Sequence, residues 1–548
     1  MVDVVWLAPS GMDQIMLQHL LRNEIWNPVG AYDLRHVDSF DDVLREDIIL
    51  VLPGAYHKVE DINAAIKNYR SVLIMIVSDE NNLFPVEDLK HPNMKLWIQT
   101  PRVGRDYGDA RFFGVGYGEA RRYHNEAFDV DTDVFVSGQN THARREKVFA
   151  LLEKHLEGNK YSYLINRTNG FTQGMRPWQY FDYMQNTKIA PAPSGVVSPD
   201  SFRVYEALEC GVIPIADDLS PAYKSKGYWA LLFPDTPMPI LGDNNIGGII
   251  DTELANFAQR RNQIFAWWQQ QKRKYAYDLV EDLDYLTMRN QRAQIVRPSL
   301  KDRITVVIPV SPWEEHPATK ILEETIRNVQ AQLPGVEVIV TFDGVRPEQM
   351  DRNDDYQEFI IRMLHKFTRE YTNVLPIVMK DHAHQSGMAR EALKHVKTRS
   401  ILYNEGDSPL YADRHIAWDQ LLKDIEWGDA NIIRLYNKET IPPEHEYLMF
   451  HEFDVPKLGL IATAQWSQQP HIAEANLYRE MLDLSTGYFT KDAKCFIEEK
   501  MYYIIVSESR NGQWGKWRMF IYKPDNEPRS YHLDGRKGGP NFYEKQVF

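Results

Sequence analysis

Short apolar runs with the residue types of β-strands alternate with amphipathic stretches along the first part of the chain. Such alternation is typical of βαβ units, in which a helix connects two parallel strands. Two of the helical stretches read DQIMLQHLLRN and VEDINAAIKNY, and the apolar runs read VVWLAP, DIILVLPG, SVLIMIVSD and KLWIQTP. Because strands covered by helices on both faces are apolar throughout, these runs predict a buried parallel sheet. We therefore expect an α/β fold with a first Rossmann-like domain over residues 1–130.

The same pattern begins again at two later points of the chain. The runs TDVFVSG, SYLINR, KIAPAPSG and VIPIADD predict a second Rossmann-like domain over residues 131–290. After a segment of mixed charge that contains Pro298, the run ITVVIPV opens a further set of elements. A chain of 548 residues exceeds one ordinary hydrophobic core and indicates about two to four domains. We expect a linker over residues 291–302 and a third α/β domain over residues 303–548.

The composition excludes several classes of protein. Only Cys210 and Cys495 are present, so neither a disulfide framework nor a cysteine-ligated zinc site is expected. No apolar run reaches the roughly 20 residues that cross a bilayer, and the sequence MVDVVWLAPSG enters a strand pattern directly. We expect no membrane segment and a cytoplasmic location, in the host cytoplasm if a phage encodes the protein. The net charge of −14 argues against uniform coating of a polyanion.

Two stretches depart from this acidic average, since residues 101–124 and 260–277 alternate basic residues with aromatic ones. Such interleaving can follow a phosphate backbone and stack bases. The alternative for the second stretch is an amphipathic helix whose basic residues face water and whose buried side carries Ile264, Trp267, Trp268 and Tyr275.

A glycine-containing loop, a helix and an apolar strand follow one another in residues 191–218, PAPSGVVSPDSFRVYEALECGVIPIADD. The start of such a helix offers unpaired N–H groups to a diphosphate, and Ser198, Asp200 or Ser201 could cap it. Glu206, one turn into the helix, would face the same crevice and accept hydrogen bonds from ribose hydroxyls. The alternative is an ordinary βαβ unit in which Glu206 is a surface residue.

This segment resembles the donor-binding core of exostosin-like glycosyltransferases of the GT-B type. The likeness lies in the order Pro, Gly, Ser-Phe-Arg, Glu-Ala-Leu, Gly and Ile-Pro-Ile. The resemblance implies that Arg203 and Glu206 contact a nucleotide sugar, and that Ser194, Gly195 and Ser201 belong to the same donor site.

Two arginines after the strand TDVFVSG, Arg144 and Arg145, lie where a βα loop would face that crevice. Either could clamp a diphosphate through two hydrogen bonds, although arginines that open a helix are also common at surfaces. Arginines and helix dipoles can neutralise a leaving diphosphate, so no metal is required in this half.

The third domain opens with ITVVIPVSP, a helix and the strand VEVIVTFDG. This is the start of a nucleotide-binding α/β sheet, which places Asp343 in the cleft beyond the strand ends. It resembles family-2-like glycosyltransferases of the GT-A type, although the usual pair of acids before the glycine is reduced to one. HQSGMAREALKHV resembles the loop that closes over the donor. The resemblance implies donor contacts from Pro309, Asp343, Gly387 and Arg390.

The strand RSILYNEGDSPL ends in an acid-x-acid pair, Glu405 and Asp407. A hard divalent ion can bridge two such carboxylates to a diphosphate, whereas the alternative is a strand-end turn with solvated acids. By the resemblance this is the position of the DxD motif, with Glu in place of the first Asp. It implies an Mn²⁺ or Mg²⁺ site formed by Glu405, Asp407 and His532, with Glu405 also at the donor. His532 could instead be a turn histidine paired with Asp534.

Sugar transfer with inversion needs a general base, normally a carboxylate at a helix start inside the cleft. FIEEKMY offers Glu498 and Glu499, which resemble the family's xED base, and we favour Glu499. Trp466 could line the acceptor side as a stacking platform or belong to the core.

These features predict two sugar-transfer modules in tandem, a GT-B module followed by a GT-A module, in the order found in exostosin polymerases. Each would use a nucleotide sugar, with a UDP-sugar expected. The tandem arrangement suggests a glycan acceptor, whereas the missing membrane anchor and the two basic-aromatic stretches suggest hydroxymethylated DNA bases, as in phage DNA glycosyltransferases. An inactive nucleotide-sugar-binding scaffold is the third possibility.

Overall fold

The structure, a computed structural model, describes residues 2–8, 11, 14–22, 34–44, 48–118, 130–168, 174–223, 226–288, 299–371, 373–489 and 495–533. The chain divides into two units, Met1–Ile295 (unit 1) and Val296–Phe548 (unit 2). Most of the expected linker and Asp534 lie outside the described residues. None of the described helices combines the length and the apolarity that a membrane crossing requires.

Unit 1 contains two parallel sheets. The strands of the first are β1 (Val2–Trp6), β2 (Leu34–Val37), β3 (Ile48–Leu52), β4 (Ser71–Ile76), β5 (Met94–Gln99) and β6 (Arg111–Phe113). Helix α1 (Ile15–Arg22) follows β1 and helix α2 (Val59–Ile66) follows β3. The spatial order is β2-β1-β3-β4-β5-β6, and every neighbouring pair is parallel. β3 and β4 are buried along their whole length, as their uninterrupted apolar sequences predict.

The second sheet of unit 1 is also parallel, with the order β11-β10-β9-β7-β8 for β7 (Thr132–Gln139), β8 (Tyr163–Thr168), β9 (Thr187–Ala192), β10 (Ile213–Asp217) and β11 (Ile240–Leu241). Its helices are α3 (Ala143–Glu157), α4 (Pro177–Gln185), α5 (Phe202–Glu209), α6 (Tyr228–Leu232) and α7 (Ile246–Ala255). The predicted α/β class with Rossmann-like parallel sheets is confirmed. The strands β2, β6 and β11 escaped prediction because they are short and carry little apolar pattern.

The second basic-aromatic stretch lies on the long helix α8 (Phe257–Met288). Ile264, Trp267, Trp268 and Tyr275 are buried, so the amphipathic alternative is correct for them. The expectation that the basic residues face water is wrong in part. Lys272 is buried, and its Nζ donates to Oε1 of Glu209 at 2.8 Å.

In the described part of the first basic-aromatic stretch, Arg105 and Arg111 are paired with acids of unit 1, whereas Arg102 lies over the ring of Tyr223. Arg105 contacts Glu87 at 2.7 Å, and Arg111 contacts Asp278 and Asp282 at 2.8 Å each. Residues 119–124 of this stretch lie outside the described residues. The partnered guanidinium groups are less available to a phosphate backbone than their sequence pattern indicates.

Unit 2 is built on one mixed sheet with the order β14-β13-β12-β15-β18-β16-β19-β17. Its strands are β12 (Ile304–Val310), β13 (Val338–Phe342), β14 (Val374–Val378), β15 (Ser400–Tyr403), β16 (Ile432–Leu435), β17 (Leu460–Ala462), β18 (His471–Glu474) and β19 (Met519–Tyr522). Its helices are α9 (Leu300–Arg303), α10 (Lys320–Gln332), α11 (Asn353–Arg369), α12 (His384–His395), α13 (Trp418–Trp427), α14 (Ala475–Leu482), α15 (Ile497–Glu508) and α16 (Trp514–Trp517).

The strands β12 to β15 of this sheet pair in parallel, whereas β18 runs antiparallel to both β15 and β16. The carboxyl ends of β12, β13 and β15 therefore meet at one edge. In open α/β sheets this is the edge at which ligands bind.

Candidate functional sites

A cavity of about 390 Å³ opens at this edge of unit 2. It is lined by residues that follow β12, β13 and β15 and by the first turn of α12. Asp343, Glu405 and Asp407, the three acids singled out at strand ends, all border it. The sheet topology brings them together because parallel strands end on the same side.

His532 reaches the acid pair because its segment runs alongside the residues after β15. Leu533 N–H donates to the carbonyl of Asp407 at 2.7 Å, and Tyr531 N–H donates to the carbonyl of Pro409 at 3.0 Å. This backbone pairing leaves Nε2 of His532 3.4 Å from Oδ2 of Asp407.

Glu405, Asp407 and His532 each offer one ligand atom, and these atoms all lie within 4.8 Å of one another. Asp407 is only 4% exposed, so a solvated strand-end turn is the wrong description of this residue. Two carboxylates and an imidazole form an oxygen-rich donor set, which suits a hard divalent ion such as Mn²⁺ or Mg²⁺. The residues present therefore fit the metal that the sequence pattern implies.

Asp343 is held by the protein itself. Its Oδ1 accepts hydrogen bonds from the N–H groups of Gly344 (2.9 Å) and Ala383 (2.7 Å). Its Oδ2 accepts one from His384 N–H at 3.1 Å and lies 2.9 Å from Nδ1 of His382. Burial raises the pKa of this carboxyl group. Asp343 thus fastens the loop before α12 to the end of β13, and these contacts compete with a nucleotide for its oxygens.

Gln385, which the sequence did not single out, joins the acid pair to helix α15. Its Nε2 donates to Oε1 of Glu405 at 2.6 Å, and its Oε1 accepts the N–H of Ile497 at 2.9 Å. Gln385 is 5% exposed. A weak signal was available in the sequence, because Met388 and Ala389 share its helix face and are core residues. A glutamine among core positions is a polar group that needs partners.

The remaining donor candidates of unit 2 take different places. Pro309 borders the cavity, and its carbonyl accepts the N–H of Gly406 at 3.3 Å. Gly387 and Arg390 lie on α12 and are not among the residues that line the cavity. A Cβ atom on Gly387 would come within 2.8 Å of the Cβ of Ala383, so a larger residue would push this helix turn outward. Nη1 of Arg390 is buried without a hydrogen-bond partner among the described residues.

The two candidate bases lie in the first turn of α15 but in different surroundings. Glu498 is half-buried, and its Oε2 accepts the N–H of Gln468 at 3.3 Å. Glu499, the next residue, is exposed. The buried Arg434 lies near Glu498, and burial lowers the pKa of its guanidinium to about 10. Glu498 therefore faces the interior and Glu499 faces solvent.

Trp466 belongs to the core of unit 2. It is 1% exposed and packs on His471 and Tyr478. The hypothesis of a stacking platform at Trp466 is therefore wrong, because a ligand cannot reach a ring that the protein covers.

Unit 1 has a cavity of about 490 Å³ of its own. Residues that end β7 and β8 and the start of α5 line it, with Ser201, Arg203 and Glu206 among them. Arg145 from the first turn of α3 also borders it. Four of the predicted donor residues are thus brought to one cavity at the carboxyl edge of a parallel sheet.

Glu206 is enclosed by its neighbours in this cavity. Its Oε2 accepts hydrogen bonds from the hydroxyl of Tyr180 and from Nη1 of Arg203, each at 2.8 Å. Glu206 is 4% exposed, so the alternative of a surface residue is wrong. Arg203 also donates from Nε to the carbonyl of Ser137 at 3.0 Å and lies over the Tyr180 ring.

The neighbouring arginines Arg144 and Arg145 point to different partners. Arg144 donates from Nε and Nη2 to the buried carboxylate of Asp217, at 2.9 and 2.7 Å, and does not line the cavity. Arg145 donates to the carbonyls of Ser194 (2.8 Å) and Gln139 (3.2 Å). Burial and the charge of Arg203 lower the pKa of Arg145 to about 10, so it keeps its charge at neutral pH.

The loop before α5 is closely packed. The N-cap of α5 is Ser201, whose side chain makes no capping hydrogen bond. A Cβ atom on Gly195 would lie 2.9 Å from the carbonyl oxygen of Ser198, so only glycine fits without a shift. Oγ of Ser194 is buried without a partner among the described residues.

Asp200, one of the three predicted caps, has another role. It accepts hydrogen bonds from Val115 N–H (2.9 Å) and from the hydroxyls of Tyr205 (2.8 Å) and Tyr228 (2.7 Å). It therefore fastens the loop before α5 to the core of unit 1.

Neither a protein-family model nor a curated protein matches the chain. Among solved structures, S. aureus TarS matches at 12% identity with a TM-score of 0.27, over 44% of this chain and 38% of that chain. The Pyrobaculum calidifontis mannosyltransferase PcManGT, in complex with GDP-Man and Mn²⁺, matches at 14% identity with a TM-score of 0.27, over 53% and 68%. GalNAc-T7 with UDP, GalNAc and Mn²⁺ matches at 12% identity with a TM-score of 0.28, over 43% and 45%. The chain thus aligns with less than two fifths of the TarS structure. Scores of this size carry no argument about function.

Proposed function

We propose that unit 2 is a metal-dependent glycosyltransferase module of the GT-A type, which moves a sugar from a nucleotide-sugar donor to a hydroxyl acceptor. One observation carries the proposal: Glu405, Asp407 and His532 converge at a strand-end cavity large enough for a small ligand. A UDP-sugar is the proposed donor.

The side chains divide the work of this module. Asp407, Glu405 and His532 would hold a divalent ion, which when bound supplies positive charge that stabilises the departing nucleoside diphosphate. Gln385 fixes the orientation of Glu405 and so the direction of its carboxylate. Asp343 accepts hydrogen bonds from the N–H groups of Ala383 and His384 and so holds the loop before α12 against the end of β13.

The general base belongs at the start of α15. Neither glutamate lines the cavity, but Phe496, the N-cap of α15, does. We assign Glu498 to this role in place of the sequence-based preference for Glu499, because Glu498 is the half-buried member of the pair and follows Phe496 by two residues. Glu498 would take the proton of the acceptor hydroxyl as that oxygen bonds to the anomeric carbon. The bond from this carbon to the diphosphate oxygen breaks in the same step, and the nucleoside diphosphate leaves.

For unit 1 we propose an exostosin-like donor site of the GT-B type that needs no metal. Arg145 and Arg203 border one cavity, where Glu206 pairs with Arg203 and offsets one of their two positive charges. The Ser201 hydroxyl at the start of α5 is not engaged in capping. Two guanidinium groups and a helix start suit a diphosphate. Unit 1 is either a second transfer site or a donor-binding module.

The acceptor that we propose is a glycan. The DNA alternative depended on the basic-aromatic stretches, and most of their described cations are buried or paired with carboxylates. This observation removes the main support for a polyanionic acceptor.

The test is a screen of nucleotide-sugar donors against oligosaccharide and hydroxymethylated duplex DNA acceptors with added Mn²⁺, read by mass spectrometry. We expect a mass increase of one sugar on an oligosaccharide and release of nucleoside diphosphate. Sugar addition to DNA bases would overturn the glycan assignment, and the absence of turnover with every donor would leave only the scaffold interpretation.

A further inference from the structure

Unit 2 presents a group of tyrosine rings beside helix α15 that the proposed transfer chemistry does not use. Tyr503 is 74% exposed and Tyr447 is 56% exposed. Large aromatic side chains are more often covered by the protein than these two are. Tyr502 meets Tyr503 edge to face, with ring centroids 5.4 Å apart, and its hydroxyl lies 3.4 Å from that of Tyr447. We call these three residues the tyrosine platform.

The platform is ordered before any ligand arrives. Tyr447 belongs to a strap, residues 443–459, whose Phe453 ring stacks on Trp514 with centroids 4.5 Å apart and planes 2° from parallel. Leu448, the next residue after Tyr447, is 1% exposed and anchors the strap in the core. The guanidinium of Arg510 lies 4.9 Å from the centroid of the Tyr447 ring. Pre-ordered rings reduce the entropy that binding would cost.

The platform is continuous with the proposed catalytic helix. Tyr502 and Tyr503 follow Glu498 and Glu499 by four residues, which places them one helical turn, about 6 Å, further along α15. Tyr502 therefore shares a helix face with Glu498. Tyr502, whose hydroxyl lies 3.4 Å from that of Tyr447, therefore connects the platform to the helix turn that carries the assigned base.

The charge around the platform selects among possible ligands. The strap contains four acids, Glu444, Glu446, Glu452 and Asp454, and a single lysine, Lys457. His451 lies 2.8 Å from both Glu446 and Asp454 and offsets part of this charge. The remaining excess of acids disfavours a phosphate backbone. Sugar rings combine an apolar C–H face, which packs on an aromatic ring, with hydroxyls that can bond to phenol groups. Arg510 covers one face of the Tyr447 ring, so a sugar would stack on the other face.

We infer that the tyrosine platform is the acceptor subsite of unit 2 and binds an uncharged oligosaccharide by stacking its sugar rings on Tyr447 and Tyr503. This inference rests on the proposed function and names its acceptor class. Single exposed aromatic residues are common on protein surfaces, but a contiguous group of them marks a binding site.

The experiment measures binding of chitohexaose, cellohexaose and maltohexaose to the full-length protein by calorimetry. We expect at least one of them to bind, and Tyr447→Ala and Tyr503→Ala to weaken it about tenfold each. Tyr503→Phe, which keeps the ring, should bind nearly as the wild type does. Trp427→Ala is the matched control, because Trp427 is 71% exposed on α13 of the same unit.

The platform would be overturned if none of the three oligosaccharides bound, if the alanine variants bound as tightly as the wild type, or if duplex DNA displaced the sugar. A second measurement, the rate of donor hydrolysis without acceptor, distinguishes failure of the platform from failure of the proposed transfer chemistry. Absent hydrolysis in the wild type would count against the transfer chemistry. Normal hydrolysis with equal oligosaccharide affinity in every variant would count against the platform alone.

Discussion

The cavities of the two units differ in the charge that predominates: two arginines meet one glutamate in unit 1, whereas four acids meet two arginines in unit 2. In unit 1, Arg145 and Arg203 border a cavity at the carboxyl edge of a parallel sheet. In unit 2, the same kind of edge gathers Glu405, Asp407 and His532. A diphosphate can be neutralised directly by arginines or through a metal held by acids. The topology of a parallel sheet therefore determines where a cavity forms, and the residues that follow the strands determine its charge.

The strongest loss of activity is expected when the acid pair of unit 2 loses a charge. Asp407→Asn keeps the shape of the buried side chain but removes charge from the proposed metal site, so metal-dependent donor hydrolysis should fall about 10³-fold. Steady-state hydrolysis at several Mn²⁺ concentrations measures it. The exposed Asp413→Asn is the matched control and should match the wild type. Undiminished metal-dependent hydrolysis in Asp407→Asn would place the metal elsewhere.

The next effect concerns the base. Glu498→Gln should lower sugar transfer about 10²-fold because the amide cannot accept the acceptor's proton. Glu499→Gln, one residue away and exposed, should change transfer only slightly. Product formation under saturating donor and acceptor measures both variants. The reverse order of effects would return the role to Glu499.

The adjacent arginines Arg144 and Arg145 test which side chains of unit 1 contribute to nucleotide-sugar binding. In the Asp407→Asn background with chelator present, Arg145→Met should weaken nucleotide-sugar binding about 30-fold, since it removes a charged donor worth about 2 kcal/mol. Calorimetric titration with UDP-sugars measures this loss.

Arg144→Met is the paired control for that experiment. It leaves the buried Asp217 without its cation and should lower the free energy of unfolding by about 3 kcal/mol, while the remaining folded protein binds donor normally. Chemical denaturation measures the change. If both arginine variants lost donor affinity equally at full stability, the assignment of separate roles would be wrong.

The smallest effect is expected at Gln385. Gln385→Met keeps the volume of the side chain but loses the bonds to Glu405 and to Ile497 N–H. We expect a fall in kcat of about tenfold with little change in the donor KM, because the side chain positions other groups and does not itself react. Initial rates across donor concentrations resolve the two parameters. A rise in KM alone would indicate direct contact with the donor.

Much of the architecture could be predicted because strands buried on both faces need uninterrupted apolar sequences, as in SVLIMIVSD. The acid pair was visible for a related reason, since charged residues directly after such a strand must lie at its end. The order β14-β13-β12-β15 and the antiparallel β18 depend on long-range pairing, which leaves no local mark in the sequence.

The individual roles of side chains were harder to predict. Arg144 and Arg145 are identical neighbours in sequence, and only the fold decides that one meets Asp217 and the other faces the cavity. The sequence left Trp466 open between a stacking platform and the core, because a single tryptophan occurs in both, and only the fold shows that it is buried. Tyr447 and Tyr502 come from distant segments, so their proximity could not be anticipated.

The backbone pairing that brings His532 beside Asp407 also sets the moment at which the site is complete during synthesis. A growing chain contains both carboxylates long before residues 529–533 have left the ribosome. Until then unit 2 has two of its three proposed ligands, and the nascent protein has no finished place for the ion. The proposed ion site is therefore complete only after every strand of the described sheet of unit 2 has been made.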